Sequence, residues 1–303
     1  MSDNARNRSD RITIKTLADV DFSDLKCCWC EAFSDYDVPL QASEEELKIR
    51  LAQDSYSPQL SVGAFDSDRL IGFWLTGLRT TNAELVGYDA GTAVIPEFRG
   101  RGVSNLLSEY LDKLLLREGV SKYILEVFCE NNVALSLYRK KGFKVVDKVD
   151  TFRTEPYPCI DIENISEFSI SECTLDEVYA NHANLLDFTP TWQNSWEALH
   201  AVQSSTISIV IKDGEEIVGY AIYQPVLRRI AQIGIAPHAD QQKIMRQIIN
   251  YFRSKSPIQD KLEMVNVQPK SSIPALLKQH GIDCFISLYV MERRIEKAFF
   301  HEN

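Results

Sequence analysis

The sequence predicts an α/β (α+β) protein built from two similar domains, each a mixed, mostly antiparallel central sheet flanked by helices. Three observations predict it. The first half runs strand, two helices, three strands, helix, strand, helix, strand. A glycine loop, Val94-Ile-Pro-Glu-Phe-Arg-Gly-Arg-Gly-Val-Ser104, joins one of these strands to an amphipathic helix. The second half reads as a worn copy of the first.

Residues 12–15 alternate in the manner of a half-buried strand, and a helix follows over residues 24–33. The loop Ser34-Asp-Tyr-Asp-Val-Pro39 leads to a second helix over residues 43–53, whose Ser43-Glu-Glu-Glu46 start has capping-box form. Residues 60–65 and 70–78 form a hairpin about Asp66-Ser-Asp68. Residues 90–95 are the strand that enters the glycine loop. Farther on, Tyr123-Ile-Leu-Glu-Val127 is a buried strand, and Asn131 caps a helix through Tyr138. Gly142 suits a left-handed residue just past that helix, and Phe143 opens the next strand.

The strand into the glycine loop stops at Pro96 and the helix starts near Gly102. Such a loop leaves backbone N–H groups unpaired at the positive end of a helix dipole, which makes a phosphate site. Gly100 and Gly102 let the backbone approach a ligand with no Cβ in the way. Val103, Leu106, Leu107, Tyr110, Leu111, Leu114 and Leu115 recur at helical spacing, so that face is expected to pack on the sheet. The letters exclude two other phosphate loops. A P-loop needs Gly-Lys-Ser/Thr, and Gly102 is followed by Val103; a dinucleotide fingerprint needs a third glycine and an early βαβ strand. A plain strand-to-helix turn is the structural alternative.

The pattern Val94-x-Pro96-x-x-Arg99-x-x-Gly102-x-Ser104 resembles the acetyl-CoA pyrophosphate loop of the GNAT family of N-acetyltransferases. Ser104 departs from the usual Gly or Ala, yet a serine suits a helix first turn. The downstream block, a strand, then Asn131-x-x-Ala-x-x-x-Tyr138, then Gly142-Phe143, matches the family's second cofactor motif. The resemblance covers residues 11–153 or so.

From this resemblance follow acetyl-CoA as the donor and no metal. It implies that backbone groups of Thr92, Ala93 and Val94 pair with the pantetheine arm. Gly100, Arg101, Gly102, Val103, Ser104 and Asn105 then form the pyrophosphate site, with Arg99 near it. Asn131 is expected to touch the cofactor, with a plain helix cap as a compatible alternative. Tyr138 is expected to protonate the departing thiolate, a phenol of pKa about 10 being matched to a thiol near 8.5. Its structural alternative is a packed tyrosine. Glu126 stands where ribosomal-protein N-terminal acetyltransferases of the family keep a general base. Asp35 and Tyr36, with Tyr88 and Asp89, fall on the acceptor side, where an ordinary surface loop is the alternative.

All five histidines lie at 182 and beyond, which removes the commonest general base, and Ser-His-Asp or Cys-His schemes, from the first domain. The expected activity is acetyl transfer to an amine of a small molecule or peptide, by direct attack in a ternary complex. O- or thiol acetylation on the same scaffold is one alternative; a non-catalytic acyl-CoA-binding regulator is another.

In the second half Lys212-Asp-Gly-Glu-Glu-Ile-Val-Gly-Tyr220 parallels Phe65-Asp-Ser-Asp-Arg-Leu-Ile-Gly-Phe73, and Ile235-Ala-Pro237 parallels Val94-Ile-Pro96. A helix over residues 244–252 follows. Asp240 stands in place of Arg99 and Lys243 in place of Gly102; a carboxylate and a Cβ there would repel and block a pyrophosphate. Residues 262–266 parallel the strand near 125, but Leu277 stands where a tyrosine is expected. The expected division is a disordered tail over 1–10, a catalytic domain over 11–155, a linker over 156–166 marked by Pro156 and Pro158, and a degenerate domain over 167–303.

At 303 residues, 45% hydrophobic and 25% charged, the chain has the make-up of a soluble globular protein of about two domains. A net charge of −10 argues against a nucleic-acid partner and fits a cationic acceptor slightly better. No apolar run is long enough to span a bilayer, so neither a membrane partner nor a signal segment is expected, and a cytoplasmic protein is. Seven cysteines follow no framework spacing; Cys27-x-x-Cys30 has no second ligand pair, so reduced packing cysteines are expected, with Cys129 a bystander near the cofactor.

Overall fold

A computed structural model of the chain describes residues 12–36, 41–155, 168–255 and 261–296. The expected tail over 1–10, the end of the acceptor-side loop at residues 37–39 and the linker over 156–166 lie outside the described residues. Two compact units are present, and they are not consecutive stretches. Unit one falls within residues 1–126, 141–144 and 291–303, and unit two within 127–140 and 145–290.

Unit one contains β1 (Ile12–Thr16), α1 (Phe22–Ala32), α2 (Glu44–Gln53), β2 (Val62–Asp66), β3 (Arg69–Thr81), β4 (Glu84–Val94), α3 (Val103–Arg117) and most of β5 (Lys122–Phe128). Strands β1 to β4 pair antiparallel in sequence order, and β4 pairs parallel with β5. The end of β12 (Cys284–Arg294) adds to this unit: the N–H of Ile295 donates to Ser121 O at 3.0 Å, and Lys122 pairs with Glu292 at 3.4 Å.

Unit two contains α4 (Asn132–Lys140), nearly all of β6 (Lys144–Arg153), β7 (Ser169–Cys173), α5 (Leu175–His182), α6 (Trp196–Ala201), β8 (Ile207–Asp213), β9 (Glu216–Gln224), β10 (Arg229–Ile235), α7 (Gln241–Ser254), β11 (Glu263–Val267) and α8 (Ile273–Gln279). Strands β7 to β10 again pair antiparallel in order, and β10 pairs parallel with β11, which pairs antiparallel with β6. Four antiparallel strands followed by one parallel neighbour recur in both units. The expected fold class is the one observed.

Local sequence explains most of these elements. In α1, Leu25, Cys28, Trp29 and Ala32 fall on one buried face at helical spacing. The capping box of α2 is complete: the N–H of Glu46 donates to Ser43 Oγ at 3.1 Å, and the N–H of Ser43 donates to Glu46 Oε2 at 2.7 Å. Strand β4 starts six residues before the expected position. The turn ahead of it uses Asn82 and Ala83, both left-handed (φ 51° and 63°), so it lacks the glycine that usually marks a two-residue hairpin. Along α3, Val103, Leu107, Leu111, Leu114 and Leu115 are buried as expected, but Leu106 and Tyr110 are 39% exposed. At 100° per residue those two sit on the flank of the apolar arc and do not reach the sheet.

The cores follow the alternation of the strands. In unit two Ile209 and Ile211 pack with Ile244, Met245, Ile248 and Phe252 of α7. Their neighbour Val210 points to the opposite face, with Leu175 and Val178 of α5 and Leu199 of α6.

Candidate active site

Strand β4 ends at Val94; a 3-10 turn over Pro96–Phe98 and the residues Arg99-Gly-Arg-Gly102 carry the chain into α3. Gly100 (φ 73°) and Gly102 (φ 80°) are both left-handed, a conformation costly for other residues. Gly102 is the N-cap of α3 and offers no side chain to close the helix end. The N–H groups of Gly100, Arg101, Gly102, Val103 and Ser104 have no hydrogen-bond partner among the described residues. Five unpartnered donors ahead of a helix N-terminus are an arrangement that can receive an anion. Ser104 is half-buried, while Asn105 is exposed and its own N–H is closed onto Gly102 O at 3.0 Å. The Arg101 guanidinium lies 4.9 Å from the ring centroid of buried Phe98.

Arg99 does not point outward. Its Nε donates to Val94 O at 2.9 Å and its Nη2 to Ala32 O at 2.7 Å, and the two Nη atoms grip the Asp35 carboxylate at 2.6 and 2.9 Å. The Asp35 hydrogen bonds hold the guanidinium pKa up, and they hold the Asp35 carboxyl below its usual value. Through these bonds Arg99 ties the loop to the ends of β4 and α1.

Beside the loop, β4 has an open edge. Its parallel pairing with β5 ends at Tyr88 and Ile124, so from Asp89 to Val94 that edge has no strand partner among the described residues. A bulge opposite Leu75 and Thr76 bends the strand there. Asp89 organises the bulge: its carboxylate accepts from the N–H of Gly91 at 3.0 Å and from the Thr92 hydroxyl at 2.9 Å. Gly91 has φ 149°, and a Cβ there would stand 2.9 Å from the Trp29 ring. Of the expected pantetheine partners Thr92, Ala93 and Val94, all lie on this edge, with the Val94 carbonyl engaged by Arg99.

Glu126 is half-buried on β5 and accepts a hydrogen bond from the Tyr88 hydroxyl at 2.6 Å. Burial first, and the Glu126 charge second, push the Tyr88 phenol well above its usual pKa, so it remains a donor. Tyr88 is only 2% exposed. Tyr36 is half-buried and edge-on to Phe33, at 5.0 Å between centroids. Three of the four acceptor-side residues therefore have partners within the protein: Asp35 with Arg99, Asp89 with its bulge, Tyr88 with Glu126.

In unit two, Asn131 accepts from the Ala134 N–H at 3.1 Å and caps α4. Tyr138 lies on the buried face of α4 with Leu135, and Gly142, past the helix end, is left-handed at φ 85°.

The β10–α7 junction is the counterpart of the glycine loop within unit two. The Asp240 side chain caps α7, accepting from the Lys243 N–H at 3.1 Å, with the Lys243 ammonium 3.6 Å away. Pairing of β10 with β11 also ends early, at Ile230 and Met264. Asn194 occupies that gap: its Nδ2 donates to Val265 O at 2.8 Å, and its O accepts from Gln232 Nε2 at 2.6 Å. The Tyr220 hydroxyl donates to Gln232 Oε1 at 3.1 Å, and all three residues are buried. No periodic or motif signal in the sequence marks this wedge.

Residues 22–143 match the acetyltransferase (GNAT) family. This stretch is similar to a GNAT domain. A 110-residue stretch is 29% identical to N-alpha-acetyltransferase 30 of Schizosaccharomyces pombe, covering 33% of this chain and 73% of that protein. The fold of a tandem GNAT protein from the clavulanic acid biosynthesis pathway matches with TM-score 0.68 at 10% identity, over 94% of this chain and 99% of that one. A GCN5-related N-acetyltransferase of Sphaerobacter thermophilus matches with TM-score 0.67 at 16% identity, over 95% and 96% of the two chains. The glycine loop, the bulged β4 and β5 all fall inside the GNAT match. Among the described residues no helix is long and apolar enough to cross a membrane, and no group of three or more His, Cys, Asp or Glu is placed to hold a metal ion.

Proposed function

We propose that the chain is an acetyl-CoA-dependent N-acetyltransferase in which the GNAT domain binds the coenzyme and an amine attacks directly in a ternary complex. The observation that carries this is the run of five partnerless N–H groups from Gly100 to Ser104 beside the open edge of β4. Donors for a diphosphate and an unpaired strand edge for an amide-bearing arm stand together, which fits coenzyme A.

When bound, the coenzyme supplies a thioester carbonyl. The Glu126 carboxylate takes the proton of the attacking amine, directly or through water, while the Tyr88 hydroxyl holds it in place. Tyr138, assigned by its place in the Asn-x-x-Ala-x-x-x-Tyr motif, gives a proton to the departing sulfur. An amine acceptor is supported by the name of the yeast relative, an N-alpha-acetyltransferase, and by a side-chain set with a carboxylate base and no histidine. The second domain, over residues 167–303, takes no coenzyme in this proposal, since Asp240 caps the helix end and Asn194 occupies the strand gap.

Calorimetry with CoA tests the site: one molecule bound per chain is expected, and no heat would sink the proposal. Tyr138→Phe should bind CoA normally yet turn over about a hundredfold more slowly; unchanged turnover would remove Tyr138 from the reaction. Amine, hydroxyl and thiol acceptor sets assayed for free CoA release separate N-acetylation from its O- and thiol alternatives. CoA binding without release on any set would leave a regulator.

A further inference from the structure

Asp35 follows α1 on a loop where an acceptor contact was expected, but its carboxylate is bound by both Nη atoms of Arg99. A surface ion pair contributes little when the guanidinium can swing freely. Here it cannot. The other donors of Arg99 reach Val94 O, on the last residue of β4, and Ala32 O, on the last residue of α1. The Ala32 carbonyl is one of those a helix end leaves without an intrahelical partner, and a cation suits that end of the dipole. Four of the five N–H groups of the guanidinium are thereby engaged, and a bidentate carboxylate fixes its plane. Arg99 immediately precedes Gly100, where the partnerless donors begin.

We propose, on the coenzyme site set out above, that Asp35 is a positioning residue for the coenzyme diphosphate. By holding Arg99 it sets the direction in which the N–H groups of Gly100 to Ser104 point. Those N–H groups take the phosphate oxygens, and Arg99 acts as the anchor of the loop. Asp35 itself touches no ligand.

The test uses the full chain and two probes, CoA and pantetheine, which keeps the arm but lacks the diphosphate. Asp35→Ala should weaken CoA about tenfold, the loss expected for one or two charge-assisted hydrogen bonds. Pantetheine affinity should not change, and the Michaelis constant for acetyl-CoA should rise while turnover at saturation holds. Asp35→Glu, which keeps a bidentate carboxylate, should recover affinity relative to Asp35→Ala. In a double-mutant cycle, Asp35→Ala should add nothing to Arg99→Ala. Wild-type CoA affinity in Asp35→Ala overturns the proposal, and so does equal weakening of both probes, which would mark general damage to the fold. A wild-type chain that binds no CoA removes the coenzyme site itself, an outcome distinct from either.

Discussion

The β4–α3 junction of unit one and the β10–α7 junction of unit two are built on the same plan. Each is a strand whose parallel pairing stops early, followed by a proline and a helix start. They differ in what satisfies the freed backbone groups. In unit one, Gly100 and Gly102 are left-handed, and the N–H groups of residues 100–104 have no hydrogen-bond partner among the described residues. In unit two, Asp240 supplies its own anion to the helix end, and Asn194 hydrogen-bonds to both sides of the strand gap. Buried polar groups require partners. Gly100, Arg101 and Gly102 are exposed, so water satisfies their N–H groups until an anion displaces it, whereas the Asn194 wedge is buried and closed by protein partners. A few substitutions separate the two junctions.

The largest expected effect removes the chemistry from unit one while leaving its plan intact. Glu126→Gln keeps an acceptor for the Tyr88 hydroxyl, so melting temperature should hold, while kcat/KM falls about a hundredfold or more in steady-state assays. Next comes the wedge of unit two. Asn194→Ala removes the side-chain donor to Val265 O and leaves that buried carbonyl unsatisfied, at about 1–3 kcal/mol, read as a lower urea midpoint; the bond from Gln232 Nε2 to the main-chain O of residue 194 remains. CoA stoichiometry should stay at one per chain; a second site appearing would show that the wedge alone had closed it.

Gly102→Val forces a branched residue to φ 80°, at about 1–2 kcal/mol, although nothing lies within 4 Å of the added Cβ. The cost should fall on CoA affinity, measured by calorimetry, more than on the packing of unit one. Asp240→Ala removes a helix cap and should lower stability by about 1 kcal/mol without creating CoA binding.

The smallest effect is in pH. Asp35 has a folded-state pKa below its usual 3.8, held down by Arg99, so its contribution is present above that value and is lost as pH falls through the lowered one. The ratio of CoA affinities between wild type and Asp35→Ala should therefore stay constant from about pH 8 to 5, where the carboxylate is ionised. A ratio that changes within that window would point to another titrating group.

Much of this contrast is written in short stretches of chain. The left-handed glycines, the capping box at Ser43, the Asn131 cap and the Asp240 substitution each act within a few residues, so the order of letters shows them directly. The turn at Asn82 and Ala83 escaped because it has no glycine, and the outward faces of Leu106 and Tyr110 because helical spacing blurs the flank of an apolar arc.

Pairings across long separations are another matter. Arg99 and Asp35 are 64 residues apart, Tyr88 and Glu126 are 38, and Asn194 and Val265 are 71. Charge and hydrogen-bonding capacity carry no periodicity, so no pattern along the chain says which carboxylate an arginine will find. Local letters were enough to place the glycine loop between strand and helix and to mark its counterpart as altered. Only the folded chain shows that Asp35 pairs with Arg99 and Tyr88 with Glu126, because tertiary packing brings polar groups 64 and 38 residues apart within 3 Å of each other.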